Sequence, residues 1–454
     1  MIGKTEIKQI TDRAMKYTKA DQVMVSIFNQ NQALTRFANN HIHQNVNESN
    51  SLFSVSVAFG KRIGHASTNS LDSHRIRETV TWADQIARFQ KENENFHGFP
   101  EVKKTAYRPV ATFNRTTARF SHAARARTVG EIVDCAKHHS LTAFGSVSNG
   151  VAEICIANSQ GTRAYAVCDD VFCNIVMAGE DSTGYVQTGR RDVNDIDFGS
   201  LAELAAQKAI MSARPVRLPA GKYTAIFEPL AASEFFDYLG NYVFNGKTYE
   251  EGRSFVSGKL GKAIVDKRIS IIDDPFAPNG FAFPFDFEGV PKKKLVLVDK
   301  GVAKHVVYDS LTAAGAGTKT TGHALGFPNP FGPVPVHLTV RKGSKTYKQL
   351  IRETKRGLLV TRFHYTNVID PHQVTFTGMT RDGTFLIEDG TITKGVLNLR
   401  FTENIIGCLN RLADMSTQCD LVADEPGYGS RFASGTVCPA VKINDFNFTG
   451  TTEF

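Results

Sequence analysis

Four carboxylates fall in one stretch, IIDDPFAPNGFAFPFDFEGVP: Asp273, Asp274, Asp286 and Glu288. Oxygen donors of this kind are what magnesium or calcium binds. Asp274 before Pro275 and Glu288 before Gly289 also stand where turn carboxylates accept backbone N–H groups, and the turn account is preferred. His41 and His43 would share one face of a strand and, with a third ligand elsewhere, could hold zinc. His138 and His139 suit a helix C-terminus, and Cys135 lies three residues before His138. His364 and His372 flank YTNVIDP. Surface, capping and buried-thiol roles are the preferred readings of these groups.

Other catalytic patterns are missing. No G-x-S-x-G elbow occurs, GSVSNG belongs to a β-type pattern, and GAGTKTTG at 315–322 has Lys319 preceded by Thr318 where a phosphate loop needs Gly-Lys-Ser/Thr. No G-x-G-x-x-G opens a helix after a strand, so the sequence implies neither ATP nor a dinucleotide cofactor. The segment FFDYLGNYVFNG, residues 235–246, reads as a helix ending in a glycine-bounded turn. Ala232, Phe235, Phe236, Leu239, Tyr242 and Val243 form its apolar stripe, each large side chain contributing about 1.5–3 kcal/mol when buried.

The elements that must position these groups follow from patterning. A helix is expected near residues 5–19, strands at VMVSIFNQ and LFSVSVAF, a helix from about Asp72 to Phe89 with Asp72 or Ser73 as cap, and helical pattern from Thr117 to Lys137. From Leu141 to Gly179 the period is two, with turns expected at Ser148-Asn149-Gly150 and Asn158–Gly161. An alanine-rich helix at about Ser200–Ser212 leads to Pro215 and Pro219, where the main boundary is placed. Beyond it come the strand YTAIFEP, a helix opened by Pro229, the hairpins KLVLVDKGVAKHVVYDS and GTFLIEDGTITKGVLNL, and the strand VHLTVRKGS. The expected fold class is α+β: an N-terminal domain of helices and antiparallel strands at 1–215, then a larger β-rich domain with curved or barrel-like sheets at 216–454.

A chain of 454 residues holds several cores without help from metal or disulfides. Seven cysteines without a C-x-x-C pair suit a reducing compartment, and neither a secretory signal nor a membrane-length apolar run is evident, so a cytoplasmic location with no membrane contact is expected. The net charge of +8 is partly local. RKGSKTYKQLIRETKRG, 341–357, holds seven basic residues against Glu353 and would make a positive stripe on a helix. A solvated face is preferred to nucleic-acid binding, which no recognition motif accompanies.

In order along the chain, TRFANNHIHQN, CIANSQGTRAY, EEGRSFVSGKLGKAI, the long segment from IIDDPFAPNG to AGAGTKTTG, GLLVTRF and DGTFLIEDG resemble the TldD/PmbA family (peptidase U62-like). That resemblance implies a cytoplasmic two-component, proteolysis-related system in which a TldD-type subunit is the zinc metallopeptidase and a TldE/PmbA-type subunit lacks the zinc site. The family is also linked to maturation of peptide antibiotics and to modulation of DNA gyrase.

Carried over by position, the zinc motif H-E-x-x-x-H of the TldD type falls on DYLGNY: Asp237 at the first histidine, Tyr238 at the glutamate, Tyr242 at the second histidine. A neutral tyrosine neither ligates zinc well nor replaces a glutamate as base near neutral pH. The cysteine ligand of that type falls near Glu425–Gly429, where there is no cysteine, and Cys438 lies too far along. The resemblance therefore implies a TldE/PmbA-like pseudoenzyme with no catalytic residues, metal or cofactor of its own. Its expected partners are a TldD-type zinc subunit, or itself as a homodimer, and a peptide. Arg253, Ser254, Phe255, Gly258, Thr318 and Lys319 are the peptide-cleft candidates, through β-addition near GRSFVSG. Two alternatives stay open: a self-sufficient metallohydrolase with ligands from Asp237, His364, His372 or the four carboxylates, and a gyrase- or nucleic-acid-associated modulator.

Overall fold

Alternation of apolar and polar residues in VMVSIF and SLFSVSV dictates strands with one face turned to a core, and these strands begin the first sheet. In the computed structural model, which describes residues 1–103, 106–427 and 431–452, that sheet has six antiparallel strands. They are β1 (Gln22–Ala38), β2 (His41–Phe59), β3 (Arg62–Thr68), β4 (Thr142–Asn158), β5 (Arg163–Ala178) and β6 (Thr183–Arg190), in the order β3-β2-β1-β4-β5-β6. β4 runs unbroken through Ser148-Asn149-Gly150, so the turn expected there does not form, whereas the turn at Asn158–Gly161 does.

Helices cover one face of this sheet in two pairs. α1 (Lys4–Ala14) and α2 (Ser73–Phe89) bury Ile7, Ile10, Ile76 and Val80 against Val25, Phe53 and Val55. The first helix is shorter than expected because the N–H groups of Met15, Lys16 and Tyr17 turn back onto the carbonyls of Thr11, Arg13 and Ala14. The Asp72 side chain caps α2 as expected, accepting from the N–H groups of His74 and Arg75. The helical pattern at Thr117–Lys137 resolves into α3 (Arg115–Ala118) and α4 (His122–His138), and the alanine-rich helix is α5 (Phe198–Met211). α5 presents Ala202, Ala205, Ala206 and Ala209 to the sheet and comes so close that a Cβ on Gly184 would lie 2.1 Å from the Ala205 carbonyl oxygen.

The second sheet starts at β7 (Gly221–Phe227) and closes on itself. β12 (Arg356–Asp370), β13 (Thr375–Glu388), β15 (Leu399–Asn404) and β17 (Gly435–Thr451) follow β7 around, and β17 pairs back with β7. β8 (Ile271–Asp273), β9 (Leu295–Asp299), β10 (Val302–Ala303) and β11 (Leu338–Val340) extend from β17; β14 (Thr391–Gly395) pairs β13, and β16 (Leu412–Ala423) pairs β17. The result is a ring with extensions rather than a simple barrel, and the hairpins expected around Lys300-Gly301 and Glu388–Gly390 are both present.

Each ring strand sends phenylalanine into a shared core: Phe227, Phe363, Phe376, Phe401 and, from β17, both Phe446 and Phe448. Phe235 of α6 (Pro229–Tyr238) packs on four of these rings at centroid distances of 5.1–6.3 Å. The outer face of the first sheet also meets this half of the chain: Ile154, Ile156 and Ala164 pack with Phe283 and Phe285. The basic run 341–357 does not form one stripe. Only Tyr347–Arg352 is helical, and Arg356 already begins β12. Among the described residues no helix is long and apolar enough to cross a membrane.

Candidate functional site

α6 decides what chemistry the ring can host. Pro229 opens it, where the missing N–H costs no hydrogen bond, and Ala231, Ala232, Phe235 and Phe236 face the core. Leu239–Val243 then widens into a π-helical turn, closed by Phe244 N–H donating to the Leu239 carbonyl at 3.0 Å. Such turns displace side chains from α-helical register. Tyr242, expected in the apolar stripe, is accordingly only half-buried, its ring 6.1 Å from that of Tyr238.

The other side of the helix carries Glu234, Asp237 and Asn241, three and four residues apart and so on one face. The Asp237 carboxylate accepts from the Thr436 hydroxyl on β17, and burial, reinforced by the negative charges of Asp424 and Glu234, pushes its pKa up to about 8. Glu234 accepts from the Thr366 hydroxyl at 2.6 Å on β12. Burial raises it to about 7 against the pull of that hydroxyl and of Arg362. Asp424, bonded to Ser434, is also raised by burial. The first sheet closes this acidic crevice: the Arg362 guanidinium, ion-paired with Asp382, lies 4.1 Å from the Tyr185 ring centroid, and Gln187 Nε2 donates to the Ala423 carbonyl at 3.0 Å.

This donor set does not fit a zinc peptidase centre. It offers carboxylates and hydroxyls but no imidazole; Tyr238 packs on Phe376, and Cys438 is a buried thiol donating to the Pro229 carbonyl. Burial, with Asp237 nearby, raises that thiol's pKa well above its ordinary value. Among the described residues, Glu234, Asp237 and Asp424 do not converge as a three-ligand group. Of the slot at Glu425–Gly429, Tyr428 and Gly429 lie outside the described residues.

The acidic stretch at 273–288 proves architectural. Asp286 accepts from the N–H groups of Glu288, Val290 and Ala324, and Glu288 from Ser310. Fully buried Asp273 accepts from His337 N–H at 2.9 Å and from His323 Nε2 at 3.0 Å. Burial alone would raise the Asp273 pKa, but Lys292 and His323 hold it well below the usual range. Asp274 takes Phe276 N–H and Lys294. The preferred turn account thus describes Asp274, and Asp286 behaves likewise, whereas Glu288 accepts from Ser310, 22 residues on, and Asp273 is an internal counter-ion that spacing alone did not reveal.

The remaining candidates are dispersed. His41 and His43 are exposed on β2; His364 lies on β12 against Tyr365, and His372 bonds Gln373 beyond that strand. Ser254 is buried, donating to the Val243 carbonyl at 2.6 Å; Arg253 pairs with Glu251; Phe255 lies under Lys259; and Gly258 takes φ +70° in a turn. GRSFVSG is a run of turns rather than a strand. Thr318 and Lys319 are exposed, Thr318 N–H bonding back to the Ala313 carbonyl. Two of the cavities among the described residues lie away from α6. One of about 380 Å³ is lined by Leu34, Val46, Ser148, Phe172 and Arg431. The other, about 770 Å³, is lined by Tyr107, Phe113, Tyr165, Val167 and Phe285. The residues that sequence reasoning missed are Glu234, Thr366, Arg362, Asp424 and Thr436. Only the Glu234/Asp237 spacing was a readable signal.

A family model described as PmbA/TldA metallopeptidase C-terminal domain matches residues 220–450. A metalloprotease of Methanothermobacter thermautotrophicus is 23% identical over 69% of this chain and 72% of its own. The metalloprotease PmbA of Escherichia coli O157:H7 is 24% identical over 68% of each. Among solved structures, TldE from Thermococcus kodakarensis superposes with a TM-score of 0.87 at 22% identity, covering 98% of this chain and 100% of that one. A protein of Thermotoga maritima described as a putative modulator of a DNA gyrase gives 0.85 at 19% identity, with the same coverage.

Proposed function

The chain belongs to the PmbA/TldD metallopeptidase family, and from that premise we propose that it is a TldE/PmbA-like subunit which helps enclose peptides but does not supply the hydrolytic zinc centre. The observation that carries this reading is the chemistry of α6. Where the family resemblance puts two histidines and a glutamate, the helix has Asp237, Tyr242 and Tyr238, with Asp237 engaged by Thr436 and surrounded by other carboxylates. Zinc hydrolysis requires nitrogen, sulfur or ionised oxygen ligands around one ion and a base for its water. Burial raises Asp237 to about 8 and Glu234 to about 7, which makes both poorer anionic ligands than ordinary carboxylates, and the tyrosines are packed as aromatic walls.

A family model that begins at residue 220 supports the boundary between units 1–215 and 216–454. The reading gives the chain a cytoplasmic setting and a partner, either a TldD-type zinc subunit or a second copy of itself. The six loop residues from Arg253 to Lys319 are retained as a proposed peptide contact, with exposed Arg253, Thr318 and Lys319 free to reach a peptide and buried Ser254 acting through the loop's shape. Nucleic acid is not part of the proposal, since the basic run is broken among a strand, a short helix and intervening loops.

The test is to mix the purified chain with a TldD-type zinc peptidase and follow complex formation and peptide cleavage. The reading expects a complex, or a homodimer that acts on the partner's activity. Peptide hydrolysis by this chain alone, abolished by Asp237→Ala, would overturn it in favour of the self-sufficient hydrolase.

A further inference from the structure

A second group of metal-ligating side chains lies away from α6, on the helices that cover the first sheet. Cys135 sits in the last turn of α4, His139 is the residue that ends that helix, and Glu203 comes from α5, packed alongside. The residues four apart on α4 share one face, so thiol and imidazole point the same way. His139 Nε2 is 2.9 Å from Glu203 Oε2, and Cys135 Sγ is 3.7 Å from the same oxygen. One ligand atom from each residue lies within 4.8 Å of the other two, and no other such group occurs among the described residues. His138 is three residues from Cys135 in sequence, but the fold brings His139 to the cluster, its ring edge-on to that of His138 at 5.0 Å.

We propose that Cys135, His139 and Glu203 form a binding site for a thiolate-seeking divalent transition metal, zinc being the ion whose chemistry fits. With bonds of about 2.0–2.3 Å, the edges of a tetrahedral sulfur, nitrogen and oxygen site are roughly 3.3–3.6 Å. The two separations to Glu203 Oε2 bracket that range and the third edge, Sγ to Nε2, is within 4.8 Å, so side-chain adjustment on α4 and α5 brings the three ligand atoms around one ion.

Three further features favour a cation here. The helix dipole gives the C-terminal end of α4 partial negative charge. Gln207 Nε2 donates to the second oxygen of Glu203 at 2.6 Å, which orients the carboxylate as an outer-shell partner does. The thiol is half-buried, while Glu203 is exposed and leaves a side open for a water as fourth ligand. A sulfur and nitrogen pair selects zinc-like ions over magnesium or calcium. Binding exchanges bonds as follows: Sγ loses its proton to solvent as it bonds the metal, and Nε2, its proton moved to Nδ1, gives its lone pair to the metal in place of the hydrogen bond to Glu203. Such an ion would pin α4 to α5. The site is independent of α6 and of the proposed subunit role.

The experiment uses the full untagged chain, stripped with chelator, titrated with zinc against a chromophoric chelator and separately with cobalt(II). The expected result is one equivalent of zinc bound, with a thiolate-to-cobalt charge-transfer band. Cys135→Ser should remove the band, and His139→Gln should weaken binding by more than about tenfold. Far-ultraviolet circular dichroism checks that both variants fold. No stoichiometric uptake, a cobalt spectrum without sulfur ligation, or a spectrum unchanged in a folded Cys135→Ser protein would each overturn the proposal. A wild-type cobalt spectrum without a sulfur band overturns the proposal even if a variant fails to fold.

Discussion

Arg431 is 3% exposed and belongs to the segment that carries Asp424 and Ser434 into the acidic crevice, so its removal tests how that crevice is held. Its guanidinium grips Asp170 of β5 with two bonds, Nε to Oδ1 at 2.8 Å and Nη2 to Oδ2 at 2.7 Å, while Nη1 reaches Ser148 Oγ at 3.2 Å. Its backbone N–H donates to Gln30 Oε1 at 2.6 Å. Replacing Asp170 by Asn leaves a buried guanidinium without its counter-charge, a change that costs about 3–5 kcal/mol. Arg431→Met strands the Asp170 carboxylate and should cost a similar amount. Because the two replacements remove one interaction, the double variant should fall short of the sum by about 1–3 kcal/mol. Denaturant unfolding gives these differences, and amide exchange across residues 420–436 shows whether the loss is local or global. Singles that each cost under about 0.5 kcal/mol, or strictly additive ones, would refute the view that this pair fastens the crevice to the first sheet.

Three other outcomes follow from the geometry. Asp237 has a folded pKa of about 8 against an ordinary 3.8, so the folded state binds its proton more tightly and this group's contribution to stability declines as pH rises between those values. Asp237→Asn should flatten that part of a stability–pH profile and raise stability at its alkaline end; a profile identical to wild type would show that the carboxylate is not buried as described. Phe235→Ala empties the centre of the phenylalanine ring and should cost about 3–5 kcal/mol in denaturant unfolding, and a loss below about 1 kcal/mol would mean that α6 does not seal it. Gly150→Ala should loosen Arg431–Ser434 in amide exchange, because a Cβ there would lie 2.4 Å from Arg431 Cδ; unchanged exchange would count against the close approach.

Local signals were legible where the cause was local. The Asp72 cap, Pro229 at the head of α6 and the hairpin at Glu388–Gly390 depend on residues within a few positions of one another, and each formed as patterned. Ser148-Asn149-Gly150 shows the opposite case. These residues have turn chemistry, yet they sit in the middle of β4 because Ser148 and Asn149 supply hydrogen-bond acceptors to buried Arg431 and Arg125, and Gly150 leaves room for the Arg431 side chain. The Arg431 contact comes from 283 residues away and the Arg125 contact from 24, so neither has a local signature.

The site was half legible for the same reason. The mismatch of Asp237, Tyr238 and Tyr242 with a zinc motif is a property of one helix. The elements that meet it are not: Thr366 from β12, Thr436 from β17, and Asp424 from beyond β16 come together only when the ring closes. Periodicity also placed Tyr242 in the core, which the π-helical turn prevents.

The most direct test of the α6 argument is peptide hydrolysis by the purified, zinc-supplied chain, measured alone and after addition of a TldD-type zinc peptidase. The account predicts no cleavage above background alone, with Asp237→Ala indistinguishable from wild type, and a complex that alters the partner's cleavage. Zinc-dependent turnover by the chain alone that disappears in Asp237→Ala would contradict it.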